Sequence, residues 1–142
     1  MCASLVVVAE SSRARVFAME NPNNSLTELE DMIHPEGRAH MHDLTSDLPG
    51  RSFDRHGQGR HAMEVPVDVK EQEAIAFAER LADFINSKFS DGGTDRLYIA
   101  AAPHFLGHLR KKLGDEAKRH IVRQLNKNLV TMGEAEIRRH FF

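Results

Sequence analysis

The sequence has little of what marks secreted, membrane-spanning or strongly charged proteins. It contains one cysteine, Cys2, so no internal disulfide can form and nothing indicates an oxidising compartment. The apolar run Leu5–Ala9 is far too short to cross a membrane, and no basic region precedes it. We therefore expect no targeting segment, no membrane insertion and a cytoplasmic location. The formal charge of −2 argues against general affinity for polyanions but allows a local basic loop.

Hydrophobic patterning divides the chain into strands and helices that suit one α/β domain. Strands are predicted at Leu5–Ala9, Ala14–Met19, Leu26–Ile33, Arg96–Ala102 and His120–Leu125, the third as an exposed or edge strand. Helices are predicted from Asp68 to Gly92-Gly93, from Pro103 to Gly114, and at the end of the chain up to Phe142. This order predicts a single domain over residues 1–142, with a mixed β-sheet and helices packed on it.

Three local features of the helices give sharper expectations. Asp68 with Glu71, and Thr131 with Glu134, have the spacing of capping boxes. Gly107 inside a helix costs about 1 kcal/mol relative to alanine, so we expect it to mark a close contact between helix and sheet. The first helix has an apolar face with i, i+3, i+4 spacing, formed by Ala74, Phe77, Ala78, Leu81, Ile85 and Phe89.

Between residues 34 and 66 the periodicity stops, and prolines and glycines break any regular element. A loop of this length is usually functional or disordered. Within it, the glycines of Gly57-Gln58-Gly59 let the backbone approach a ligand closely, and the Gln58 amide can both donate and accept hydrogen bonds. The tripeptide is therefore a candidate for presenting an amide to an ester or for ordering a water. The alternative is a flexible tip with an incidental glutamine.

The same loop carries cationic side chains that suit phosphate contacts. The candidates are Arg51, Arg55, Arg60, His56 and His61, with Arg38 nearby. Acidic residues balance the arginines, so a solvated, self-paired loop is the alternative. Phe53 alone is too few aromatic residues for a platform that stacks single-stranded bases.

Metal ligation and nucleophilic catalysis find weaker support. One candidate metal set is His40, His42 and Asp43, and a carboxylate cluster of Glu10, Asp43, Asp47 and Asp54 is another. Neither matches a strong spacing template, so we expect no metal and no cofactor. His104 and His108 lie four residues apart on a helix, but no acid is evident beside them, which favours surface or partly buried residues. Arg110, Lys111 and Lys112 are interpreted as a solvated basic face, with phosphate binding as the alternative.

Several pieces of the sequence, in their order and spacing, resemble a known family. They are VVVAESSRARVF, DLTSDLPGRSFD, GQGRHAME and AAPHFLGHLRKKL. Over nearly the whole chain they resemble the bacterial host attachment proteins, which are named as proteins required for attachment to host cells. That family is similar to the middle domain of archaeal and eukaryotic class-I peptide release factors, in which a Gly-Gly-Gln loop promotes hydrolysis of peptidyl-tRNA. The resemblance implies a release-factor-like, ribonuclease-H-like α/β domain whose working loop lies around Gln58.

The resemblance also implies a function associated with the ribosome or tRNA. Here His56 stands where a release factor has the first glycine of its loop, and Glu10 stands where aspartate is more usual in the family. We therefore favour binding over hydrolysis; if the protein is an enzyme, it is expected to be a peptidyl-tRNA ester hydrolase. Two alternatives stay open. One is a non-catalytic protein-interaction factor that affects attachment indirectly, and the other is a metal-dependent hydrolase that uses His40, His42 and Asp43.

Overall fold

A computed structural model describes residues 3–20, 25–34 and 67–142. Its strands are β1 (Ala3–Ala9), β2 (Arg13–Met19), β3 (Thr27–Ile33), β4 (Thr94–Ala101) and β5 (Ile121–Leu125). Its helices are α1 (Val67–Ser90), α2 (Pro103–Lys112), α3 (Asp115–Arg119) and α4 (Glu134–Phe141). The five strands predicted from the sequence are all present, and so are the three predicted helices. None of the helices in the described part of the chain is long and apolar enough to cross a membrane.

The strands form one mixed sheet in the order β3-β2-β1-β4-β5. β1, β2 and β3 make an antiparallel meander, whereas β1 pairs with β4, and β4 with β5, in parallel. A parallel pair needs a crossover connection, and α1 supplies it between β3 and β4. The fold is therefore the mixed α/β sheet with packed helices that the sequence predicts.

β1 occupies the centre of the sheet and is buried on both faces. Leu5, Val7 and Ala9 face one apolar core, and Val6 and Val8 face the other. A strand covered on both sides needs a continuous apolar run rather than an alternating pattern, which explains the sequence LVVVA.

Helices α1 and α2 cover the first face of the sheet. The apolar face predicted for α1 is buried in this core, together with Phe105, Leu106 and Leu109 of α2. Phe77, Leu81 and Ile85 are fully buried, and burying a side chain of this size stabilises the fold by about 1.5–3 kcal/mol. α4 covers the second face, where Ile137 and Phe141 pack with Leu129 and Val130.

Edge strand β3 is mostly exposed, as predicted, and ion pairs tie it to β2. The guanidinium of Arg13 makes two hydrogen bonds to the Asp31 carboxylate, at 2.9 and 3.1 Å. That bidentate contact raises the pKa of Arg13 and lowers the pKa of Asp31. Arg15 pairs with Glu28 in the same way and also donates to two carbonyl oxygens of the segment that precedes α4.

Two local expectations differ from the structure, and one short helix is additional to those expected. A Cβ on Gly107 would meet nothing within 4 Å among the described residues, and Gly107 is exposed, so it marks no helix–sheet contact. The N-cap of α4 is Gly133, and neither Thr131 nor any other side chain caps it. Helix α3 was not predicted because five residues are too few to show helical periodicity.

Candidate functional site

The carboxyl ends of the parallel strands β1 and β4 lie at one edge of the sheet. Both helices of the first face begin at this edge, since α1 runs back towards the start of β4 and α2 follows the end of β4 directly. Ligands of open α/β sheets commonly bind beyond the carboxyl ends of the parallel strands. The side chains of the first turns of α1 and α2 are therefore the first place to look for a site.

Glu71 of α1 and two histidines of α2 meet there. The Glu71 Oε1 atom lies 2.7 Å from the Nε2 atom of His104, in a hydrogen bond. The other carboxylate oxygen, Oε2, lies 2.9 Å from the Nε2 atom of His108. The two imidazole rings are 4.8 Å apart, centroid to centroid, in an edge-to-face arrangement. One donor atom from each of the three residues falls within 4.8 Å of the others, a spacing that could hold a metal ion.

Burial differs sharply among the three side chains. His104 is 73 % exposed and Glu71 39 %, whereas His108 is only 12 % exposed. The Nε2 atom of His108 is buried and lies within ion-pair distance of Glu71, although its alignment is poor for a hydrogen bond. The hydrogen bond from His104 is the main cause that lowers the pKa of Glu71, and the charges of both histidines act in the same direction.

A second polar contact involves the same helix, two residues along from Glu71. His34, which follows β3, is buried, and its Nε2 atom lies 2.5 Å from the Glu73 Oε1 atom of α1. The His34 ring also packs against Phe77, with 5.4 Å between ring centroids. Arg80 donates to the carbonyl oxygen of Ile33, and the His34 amide donates to the carbonyl oxygen of Ser12. The end of β3 is thus fixed to α1 and to the β1–β2 turn.

Two described residues, His34 after β3 and Val67 at the start of α1, lie at this same edge of the sheet. His34 immediately precedes the segment 35–66 and Val67 begins the helix that follows it. The Glu73 carboxylate holds His34 against α1, two residues along that helix from Glu71.

Most of the residues that the sequence singled out lie outside the described residues. They are Arg51, Arg55, His56, Gly57, Gln58, Gly59, Arg60 and His61, together with His40, His42, Asp43, Asp47 and Asp54. Glu10 is described: it is partly buried after β1, and its amide donates to the carbonyl oxygen of Arg13. Arg110 donates to the side chain of Gln124, and Lys111 and Lys112 are exposed beside it at the far end of α2.

Sequence reasoning missed the acid that His104 and His108 face. It assigned Glu71 to a capping box with Asp68, but α1 begins one residue earlier, and Asp68 accepts a hydrogen bond from the neighbouring amide of Val69. The signal that was available is the spacing His-x-x-x-His, which places two imidazoles on one helix face. The acid could be found only from the packing of α1 on α2.

Comparisons with known proteins agree on the fold and family. A family model described as "Protein required for attachment to host cells" matches residues 5–141. The crystal structure of the archaeal translation termination factor aRF1 is similar, with a TM-score of 0.54 and 11% sequence identity. The similarity covers 97% of this chain and 37% of that one, so this chain spans little more than a third of the termination factor's length. No curated protein matches the sequence.

Proposed function

The chain belongs to the family of proteins required for attachment to host cells, and we propose that its molecular activity is to bind the ribosome or tRNA in the cytoplasm. In this proposal residues 1–142 act as a single domain, and the segment 34–66 is its working loop. Arg51, Arg55 and Arg60 contact RNA phosphates, with His56 and His61 beside them, and Gln58 points towards the 3′ end of a tRNA.

The observation that supports the proposal is the position of the described residues on either side of 35–66. His34 contacts Glu73 of α1, the helix that begins at Val67. The sheet and helices that flank this segment share their fold with a translation termination factor over nearly the whole chain. Residues that bind or act on other molecules are often carried on loops that a rigid scaffold positions in this way.

The charge of the chain is compatible with this mode of binding. With a formal charge of −2, the protein has no general attraction for RNA, so the loop cations must account for most of the electrostatic contribution. Each phosphate that an arginine neutralises releases counterions, which makes binding weaker as salt rises. Three arginines correspond to a logarithmic salt slope of about 2 for a single strand and about 3 for a duplex.

We favour binding over catalysis. In a hydrolytic mechanism the Gln58 amide and the Gly59 N–H would orient a water molecule and stabilise the oxyanion that forms at the ester carbon. The sequence reads Gly57-Gln58-Gly59, with His56 ahead of it, so it lacks the glycine pair before the glutamine. That difference supports a loop that lies against a tRNA end without cleaving its ester.

The proposal is tested by co-sedimentation with ribosomes from the same organism across a salt series. We expect the wild-type chain to travel with ribosomes at physiological salt and to be released as salt rises. The Arg51→Ala/Arg55→Ala/Arg60→Ala variant should bind more weakly. The slope of its logarithmic binding constant against logarithmic salt concentration should be smaller in magnitude by about 2–3. A variant in which Arg110, Lys111 and Lys112 are alanine removes the same charge from an exposed face and serves as the matched control.

Three results would contradict the proposal. The first is wild-type protein that stays in the supernatant even at low salt. The second is binding that the loop variant leaves unchanged, and the third is binding that only the α2 variant reduces, because the contact would then lie on α2. If ribosome binding is present, release of peptide from peptidyl-tRNA by wild-type protein but not by Gln58→Ala would replace binding with hydrolysis as the activity.

A further inference from the structure

We propose that Glu71, His104 and His108 form a binding site for one divalent transition-metal ion, with zinc as the representative of the class. This site is separate from the loop residues of the proposed function and does not depend on them. It also departs from the expectation from sequence that the protein holds no metal. All three donors belong to described residues on two packed helices, so their spacing is set by the core beneath them.

The ligand geometry fits a small ion. In a tetrahedral zinc site the donors lie about 2.0–2.2 Å from the metal, so neighbouring donors are roughly 3.3 Å apart. Here the Glu71 oxygens lie 2.7 and 2.9 Å from the two imidazole nitrogens, and the three donors fit within 4.8 Å. Small rotations of exposed Glu71 and His104 open this spacing, while His108 is held by its burial on α2.

One of the three contacts, between His108 and Glu71, is poorly aligned for a hydrogen bond. The Nε2 atom of His108 is buried and faces a carboxylate oxygen, but its geometry gives no hydrogen bond within the described residues. A metal ion between these two atoms would replace this poorly aligned contact with two well-directed bonds. A metal ion would accept the lone pair of this nitrogen and those of His104 and Glu71 at the same time.

The chemistry of the donor set selects the class of ion. Two imidazoles and one carboxylate suit zinc and its neighbours in the first transition series, whereas magnesium and calcium prefer oxygen ligands alone. Three protein ligands also leave a fourth tetrahedral position for water or an anionic oxygen. His104 is 73 % exposed, so the site opens to solvent.

The test is zinc binding to protein without a histidine tag, stripped of metal by a chelator and measured by isothermal titration calorimetry. Cobalt is the spectroscopic substitute, since tetrahedral cobalt with nitrogen ligands absorbs visible light. The variants are Glu71→Gln, His104→Ala and His108→Asn. The matched controls are Glu116→Gln and His120→Asn. In this second pair the His120 Nδ1 atom lies 3.8 Å from the Glu116 Oε2 atom, and no third candidate ligand joins them among the described residues.

We expect wild-type protein to bind one zinc ion per chain and each ligand variant to bind at least about tenfold more weakly, with both controls unchanged. Zinc should also raise the Tm of wild-type protein but not of His104→Ala. That variant should fold normally because His104 is largely exposed. Absence of binding by wild-type protein, or binding that all three variants retain, would overturn the proposal, and retention would place the metal on other histidines.

Discussion

The contact between His34 and Glu73 should be the costliest polar contact to remove at this edge of the sheet. His34→Ala loses a hydrogen bond to a carboxylate, worth about 1.5–3 kcal/mol, and a ring contact with Phe77 worth about 0.5–1.5 kcal/mol. The Glu73 side chain is 26 % exposed and regains water when its partner is removed, which favours the lower hydrogen-bond figure. We therefore expect the free energy of unfolding to fall by about 2–3 kcal/mol.

The assay is urea unfolding at pH 7, followed by far-UV circular dichroism. Glu73→Gln keeps an acceptor but loses its charge, so it should cost about 1 kcal/mol. Glu79→Gln, an exposed position on the same helix, is the matched control and should change stability by less than about 0.5 kcal/mol. The double variant His34→Ala/Glu73→Gln completes a thermodynamic cycle. If the two single costs add to within about 0.3 kcal/mol, the residues are not coupled and the reasoning is wrong.

Three further substitutions test a helix, a turn and edge strand β3. Gly107→Ala should raise the free energy of unfolding by about 1 kcal/mol, because an added Cβ meets nothing nearby; a loss of stability in urea unfolding would instead show a close contact at this position. Gly92→Ala should lower the free energy of unfolding by about 1 kcal/mol, because Gly92 has a positive φ of 82°. Asp31→Asn should cost about 0.5 kcal/mol at pH 7, since Asp31 is partly exposed. The Asp31 pKa is lowered in the folded protein, so this stabilisation is present above about pH 4 and is lost as pH falls through the folded pKa. Unfolding curves at pH 7 and pH 3 check it, and an equal difference at both would refute the assignment.

The sequence alone is sufficient to predict the strands and helices whose hydrophobic patterns are local. The run LVVVA predicts a strand buried on both faces, and the apolar positions of α1 predict the face that packs on the sheet. Local signals failed where tertiary contacts decide the outcome. Glu71 is 33 residues from His104, so no periodicity can relate them, and Gly107 is exposed because the apolar face of α2 lies on its other side. The partner of His34 likewise depends on where α1 packs.

The central position of β1 has a consequence for synthesis of the chain. One side of β1 can pair with β2 within a few residues, but the other side pairs with β4, where Ala3 lies opposite Thr94. At a synthesis rate of about 5–20 residues per second, the apolar strand waits roughly 5–18 s for that partner. During this interval its free edge can pair with another chain. Until β4 emerges, the newly made protein is therefore most open to association with other copies through its most apolar strand.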